Sequence, residues 1–208
     1  MSDLLSFKKS FKGDIVTPDD PDYKAAIARW ASSAERRAKF VAFVKDAEDV
    51  SVAITFAKAS KLPLAIRGGG HSASGASSSQ DGIVIDLSRY LNGVRIDPEG
   101  KLAYTGGGAL WSTVDKAAIE HGLASVAGTV NHVSSFFVSY SPAGIPFFII
   151  HRPVSGGSFC FWTGDTVRWL VSESYRLTVG GGYGFLSGAH GLVIDNLKQV
   201  NNPSACCS

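Results

Sequence analysis

Cysteine is scarce in this chain and badly spaced for metal. Cys160, Cys206 and Cys207 form no C-x-x-C pair and adjoin no histidine pair. A zinc site and a disulfide framework are therefore both excluded as organising devices. Charge of one sign is equally wanting. Lys and Arg number 20 against 18 for Asp and Glu, a net +2. That balance gives no basic face for nucleic acid or an anionic membrane, and neither is expected as a partner. No apolar run is long enough to span a bilayer, since the greasiest stretch, FFVSYSPAGIPFFII, is interrupted by Pro142 and Pro146. MSDLLSFKKSFKGD has no apolar centre of the kind a secretory leader needs, so the expectation is an intracellular protein.

Hydrophobic residues make up 45% of the 208, enough for one sizeable core or two small ones. Residues 22–39 are alanine-rich and predict a helix. FVAFV (40–44) predicts a strand. Asp46 predicts an N-cap, followed by a helix that presents Val50, Ala53, Ile54 and Ala57 on one face. LPLAIR (62–67) predicts a buried strand that stops at glycine, and SASGASSSQDG (72–82) a loop. GIVIDL predicts another strand, and GVRIDPEGKLAYT a hairpin turning at PEG. ALWSTVDKAAIEHG predicts a helix with Leu110, Val114 and Ala117 or Ala118 on one face and Gly122 just past its end. Strands mixed with helices up to His132 indicate an α+β fold. From Val133 to Arg176 the periodicity fails. LTVGGGYGFLSGAHGLVIDNLKQV then restores the earlier character, with a strand expected in GLVIDNLKQV, and NNPSACCS has no pattern.

Glycine is abundant, with 23 residues, and it is clustered at Gly68–Gly70, Gly106–Gly108 and Gly180–Gly182. The first cluster sits in LAIRGGGHSASG, where a strand runs straight into bare backbone and then a histidine. Consecutive N–H groups without Cβ atoms can wrap an anion, and Arg67 would add a positive charge. The repetition points to one long phosphate-containing ligand. A P-loop is excluded because no G-K-[ST] follows the glycines. A dinucleotide fingerprint can be laid on Gly68, Gly70 and Ala73, with Asp86 as the ribose acid. That fold needs a helix immediately afterwards, and the serine- and glycine-rich 72–82 is a poor one. His71, on the loop itself, has three open roles: hydrogen bonding, proton transfer or covalent attachment of a cofactor.

AKFVAFVKDAEDVSVAITFAKASKLPLAIRGGGHSASG and GIVIDLSRYLNGVRIDPEGKLAYTGGGALWSTVDKAAIEHGLASVAGTVNH resemble the FAD-binding domain of the vanillyl-alcohol oxidase / p-cresol methylhydroxylase superfamily. The likeness is to its berberine-bridge-enzyme-like FAD-linked oxidases, and LTVGGGYGFLSGAHGLVIDN matches a later flavin-contacting segment of the same family. Together these cover about residues 11–132 and 177–200. The resemblance implies that Arg67, Gly68, Gly69, Gly70, His71 and Ser72 wrap the FAD pyrophosphate. It implies that His71 carries the flavin covalently. Gly128 and Thr129, and later Gly182 and Gly184, would approach the cofactor closely. Asp195 and Asn196 match a family motif with no assigned contact. AGTVNH offers no cysteine for a second link. The implied activity is a flavin-dependent oxidation of an alcohol, sugar or alkaloid-type C–H bond, with a small-molecule substrate and dioxygen as acceptor.

The implied organisation is a tail at 1–10, a first FAD-binding lobe at 11–132, an irregular insertion at 133–176, a fragment of a second lobe at 177–200, and an unstructured tail at 201–208. The fold expected is the first lobe of a PCMH-type FAD-binding domain with part of the second, truncated before the substrate domain and catalytic base. No catalytic residue is assigned, and little turnover is expected. Two other readings stand beside it: a non-catalytic fragment or pseudogene product with weak or no FAD binding, and a nucleotide-binding module of another class. The family runs from a GTVNH-like segment into GVGG, which is missing here. Val133-Ser134 is encodable as the splice-donor sequence GTAAGT, so Val133–Arg176 is read wholly or partly as translated intron or a misplaced exon boundary, with a genuine insertion as the alternative. Sequencing the transcript across this junction is expected to find a message joining Asn131-His132 to GVGG-like codons. An uninterrupted reading through 133–176 would make the segment a genuine insertion.

Overall fold

The computed structural model describes residues 2–125, 131–133, 147–151, 187–190, 192 and 194–199. The chain opens with helix α1 (Ser2–Ser10) and strand β1 (Asp14–Val16), followed by a short helix α2 (Tyr23–Ile27). Strand β2 (Phe40–Phe43), helix α3 (Ala47–Ala59), strand β3 (Leu64–Arg67) and strand β4 (Ile83–Asp86) complete a first layer. A hairpin of β5 (Val94–Asp97) and β6 (Leu102–Thr105), helix α4 (Trp111–Ile119), and strands β7 (Ala124–Ser125), β8 (Phe147–His151) and β9 (Leu197–Gln199) follow.

The first sheet has the order β1-β2-β4-β3. β2, β4 and β3 run parallel, and β1 is antiparallel on β2. Parallel strands covered on both faces need continuous apolar runs rather than alternation, which is what FVAF and IVID supply. Phe40, Ala42, Ile83 and Ile85 face α3 and α1, packing on Val50, Ala53, Phe56 and Phe7. Val41, Phe43 and Val84 face the other way, toward Tyr23, Ala26 and Ala38. The Asp46 carboxylate accepts from the Asp49 N–H at 2.9 Å and so starts α3 where the sequence predicts.

The second sheet is antiparallel, in the order β5-β6-β8-β7, with β9 also on β8. The hairpin and α4 form as expected, with Val114 and Ala118 buried and Gly122 at φ +64° past the helix end. This mixed architecture bears out the α+β expectation.

Five local expectations differ. Of the helix expected over 22–39 only α2 and a 3-10 turn at Ser32–Ala34 form, because Ala28 turns extended and the chain is then drawn away by bonds of Arg29 and Trp30. β3 is an edge strand, so only Ala65 is buried and Leu64 is exposed, contrary to the buried strand read from LPLAIR. Residues 2–10, set apart as a tail, form α1, whose Phe7 stacks on Phe56 at 4.3 Å. The patternless 133–176 contributes β8, which pairs with β6. Its remaining residues, apart from Val133, lie outside those described. In GLVIDNLKQV the strand begins only at Leu197, after a 3-10 turn at Ile194–Asn196. That turn is closed by the Asn196 amide, which donates to the carbonyls of His190 and Leu192, and by the Asp195 carboxylate, which accepts from the Leu192 N–H.

Gly106 and Gly108 serve this packing. Their N–H groups donate to the carbonyls of Gly93 and Leu91, and a Cβ at either would overlap the backbone of Leu91 or Leu87. In the middle glycine cluster Gly106 and Gly108 thus serve a close backbone crossing. Gly108→Ala is expected to lower stability by about 2 kcal/mol, roughly 4–8 °C in Tm for a chain of this size. Gly93→Ala, with nothing within 4 Å of its Cβ, should stay within about 0.5 kcal/mol in the same melts.

Candidate functional site

Arg67 ends β3 and Asp86 ends β4, and the parallel register places them side by side. The Arg67 guanidinium donates to Asp86 Oδ2 at 2.7 Å, with the Asp86 side chain fully buried. The other carboxylate oxygen, Oδ1, accepts from the N–H and hydroxyl of Ser88. Arg67 also donates to the carbonyl of Ala26 at 3.1 Å, tying the strand to the end of α2. The carboxyl edge of a parallel sheet is where open α/β layers hold ligands.

The glycine loop leaves this edge. Gly68 and Gly70 are buried, and Gly70 takes φ +70°, a left-handed conformation that suits glycine. A Cβ there would stand 3.1 Å from Arg67 Nε and 3.2 Å from Arg29 Cδ. Among the described residues, the N–H groups of Gly68, Gly69 and Gly70 donate to nothing. Loop amides left this way are what an anion nest consists of. Ser72 Oγ lies 3.0 Å from Ser74 Oγ.

Arg29 holds the far end of the loop. Its Nε and one terminal nitrogen donate to the Ser77 carbonyl, at 3.1 and 2.7 Å. The other terminal nitrogen donates to the carbonyls of Ala26 and Ala28. Burial, and then the neighbouring Arg67 charge, push the Arg29 guanidinium down to about 10, so it remains charged at neutral pH. The next residue, Trp30, donates its backbone N–H to the Gly70 carbonyl at 3.2 Å.

His71 is half-buried. Its ring stacks on Trp30 with centroids 5.7 Å apart and lies 4.8 Å from the ring of His132. His132 is placed by α4. The N-cap of that helix, Leu110, offers no side-chain cap, and the carbonyls of Val133 and Asn131 accept from the N–H groups of Trp111 and Ser112 instead. Burial holds the His71 imidazole below the usual histidine range, and the His132 charge acts in the same direction.

Among the described residues, four buried polar atoms around the loop have no hydrogen-bond partner: Arg67 Nε, His71 Nδ1, Ser77 Oγ and Ser78 Oγ. Orphaned groups of this kind are costly unless something satisfies them. With the unpaired loop amides, they fit a phosphate-bearing ligand. Among the described residues no three His, Cys, Asp or Glu gather as a metal ion would need.

Arg67 ends β3, and Gly68, Gly69, Gly70, His71 and Ser72 follow it in one loop. Arg67 differs in role, since Asp86 already holds part of its guanidinium. Gly128, Thr129, Gly182 and Gly184 lie outside the described residues. Sequence reasoning missed Arg29, Trp30 and His132. The first two were hidden inside an expected helix. The histidine, quoted in AGTVNH, had no local signal linking it to His71.

Comparison with known proteins agrees with this geometry. A family model described as FAD binding domain matches residues 38–134. The FAD-linked oxidoreductase pgmH of Aspergillus terreus is 33% identical over 202 residues, which is 95% of this chain and 33% of that protein. The crystal structure of 6-hydroxy-D-nicotine oxidase from Arthrobacter nicotinovorans is similar with a TM-score of 0.67 and 27% identity, over 89% of this chain and 32% of that one. Physcomitrella patens BBE-like 1 is similar in fold, with a TM-score of 0.66 at 18% identity, over 94% of this chain and 34% of that one. The chain spans about a third of the length of these relatives.

The depressed His71 basicity gives a signed expectation for stability. Well above pH 6.5 the ring is neutral both folded and unfolded, and contributes no slope. As pH falls below 6.5, the unfolded chain takes up a proton that the folded ring refuses, so stability drops until the folded ring also protonates. Denaturant melts at stepped pH should show the wild type losing more stability than His71→Gln in the window just below pH 6.5. Equal losses would show that burial does not disfavour the charged ring.

Proposed function

We propose, from the match of residues 38–134 to a family model described as FAD binding domain, that the chain is the flavin-holding part of an FAD-dependent oxidase. FAD is the cofactor of this family, and the α+β fold is that of its PCMH-type domain. The observation that carries the proposal is the loop at the carboxyl edge of β3. Among the described residues, three glycine amides without acceptors and three unpartnered buried atoms, Arg67 Nε, Ser77 Oγ and Ser78 Oγ, accompany one half-buried histidine whose own Nδ1 is also unpartnered.

In this reading the amides of Gly68, Gly69 and Gly70, with Ser72, hold the diphosphate. Arg67 contributes through Nε and through the local field, because its other contacts are made with Asp86 and Ala26. His71 faces the ring system and is the residue proposed to carry the flavin covalently. Its lowered basicity keeps a nitrogen unprotonated at neutral pH. Gly128, Thr129, Gly182 and Gly184 are proposed as further close approaches of backbone to cofactor.

Bound FAD supplies two-electron redox chemistry, accepting hydride from a C–H bond beside oxygen or nitrogen and passing the electrons to dioxygen. The protein's part is binding, orientation and electrostatics. Because the chain spans about a third of its relatives, the cofactor-holding role is what is proposed for these residues. The oxidation of a small-molecule alcohol, sugar or alkaloid-type substrate is proposed for the whole protein.

Refolding the purified chain with FAD and separating free flavin tests the reading. Bound yellow colour is expected, with part of it remaining in acid-precipitated protein. His71→Ala should bind flavin that acid releases completely. Gly70→Ala, strained at positive φ and crowded by Arg29 and Arg67, should bind at least tenfold more weakly, about 1.4 kcal/mol. A folded chain that takes up ATP or NAD in preference to FAD would overturn the assignment.

A further inference from the structure

Trp30 is a large aromatic that the core does not use. It is 54% exposed. Its indole lies over the His71 ring at 5.7 Å between centroids and an interplanar angle of 25°. Its backbone N–H is bonded to the carbonyl of Gly70, the residue just before that histidine. Arg29, one position earlier, is buried and clamps the Ser77 carbonyl by two hydrogen bonds. Residues 29 and 30 therefore strap both ends of the loop and place a flat aromatic surface on its only titratable side chain.

An exposed indole gains little from its own burial, so its position needs another account. Helix propensity does not supply one, because the alanine-rich stretch abandons its helix at Ala28 and makes these contacts instead. His132 approaches the same imidazole at 4.8 Å, held by the Asn131 and Val133 carbonyls at the start of α4. Two independent elements thus converge on one ring whose Nδ1 is buried and unpartnered.

We propose that Trp30 is a positioning residue for the flavin site: its indole, together with His132, holds the His71 imidazole in one orientation and shields it from water. This rests on the reading that His71 faces the flavin. Indole removal would let the imidazole turn among its staggered rotamers and hydrate. Among the described residues the charged groups near that ring include His132 beside it, and Arg29 and Arg67 across Gly70, with Asp86 neutralising the latter. They also include the Glu35 carboxylate, which accepts from the Arg29 N–H. Loss of Trp30 changes none of them, so a shift in the His71 titration on its removal reports shielding.

The test uses the full chain. Without flavin, the His71 ring is titrated by NMR, and Trp30 emission is followed as the difference between wild type and Trp30→Phe. An imidazolium stacked on indole quenches it, so the Trp30 signal should fall as pH drops through the His71 midpoint. The fall should vanish in His71→Gln and persist in His132→Gln. Trp30→Ala should move the His71 midpoint upward toward 6.5, and Trp30→Phe should restore it. With FAD added, Trp30→Ala should slow acid-stable flavin incorporation at least tenfold, with Trp30→Phe close to wild type. A Trp30 emission flat with pH, or an unshifted His71 midpoint with undiminished incorporation in Trp30→Ala, would overturn the proposal. Should Trp30→Ala not fold, the emission titration of wild type against His71→Gln still decides it. Failure of the wild type to take up FAD would sink the functional reading instead, while the flavin-free titrations would still decide whether Trp30 shields His71.

Discussion

The ion pair between Arg67 and Asp86 is the constraint on which the site depends. The Asp86 carboxylate is fully buried, and it sits directly across the ladder from Arg67. A buried pair of this kind is a poor source of net stability, since desolvation offsets much of the attraction. Its value is positional. A register slip between β3 and β4 would strand a charge among Val84, Phe43 and Ala65, so only one alignment is tolerable. That alignment fixes the point where β3 stops and the glycine loop begins. Because the same guanidinium reaches the Ala26 carbonyl, it also fixes where the end of α2 meets the sheet.

The segment beyond α2 shows what the sequence conceals. YKAAIARWASSAERRA has the composition of a helix, and local propensity points that way. Propensity differences are tenths of a kcal/mol per residue, while a buried arginine with four carbonyl contacts is worth more than their sum. The partners of Arg29 include Ser77, far along the chain, and nothing local announces it. The same holds for His132, brought to His71 by carbonyls that cap a helix. The elements around them were legible. β2, β4, the hairpin, α3 and α4 each carry their signal within a few residues: an apolar run, an Asp cap, a PEG turn, a terminal glycine. Edge and centre were not legible, because a strand's place in a sheet is set by its neighbours. Leu64 reads like Ile83 in sequence, yet one is exposed and the other fully buried.

Glycine clusters carry a similar lesson. Gly68–Gly70 and Gly106–Gly108 look alike on the page and follow similar strands. Around Gly106 and Gly108 the missing Cβ atoms admit the backbone of Leu91 and Leu87, and the N–H groups are spent on carbonyls within the fold. At Gly68–Gly70 the amides remain without acceptors among the described residues, and Gly70 is hemmed by two arginines. The same residue type answers close packing in one place and leaves donors for a ligand in the other. Hydrogen-bond accounting separates the two, and composition does not.

That accounting also fixes the sign of the site. Arg29 stays protonated at neutral pH even though burial lowers it to about 10; its side chain donates to neutral carbonyls, and its backbone N–H to the Glu35 carboxylate. Arg67 is balanced by Asp86. The loop around Gly70 therefore has a buried guanidinium behind it, partly offset by the Glu35 and Asp86 carboxylates, in addition to the dipoles of its amides. In a partly buried setting such a charge is less screened than one on the surface, so it favours an anion over a neutral guest. The imidazole beside it is pressed the other way, since burial and neighbouring positive charge both disfavour its cationic form. One end of the loop is thus suited to phosphate oxygens and the other to an uncharged ring. That polarity, set by Arg29 and His71 at either side of Gly70, matches a ligand with an anionic bridge and a flat, neutral head.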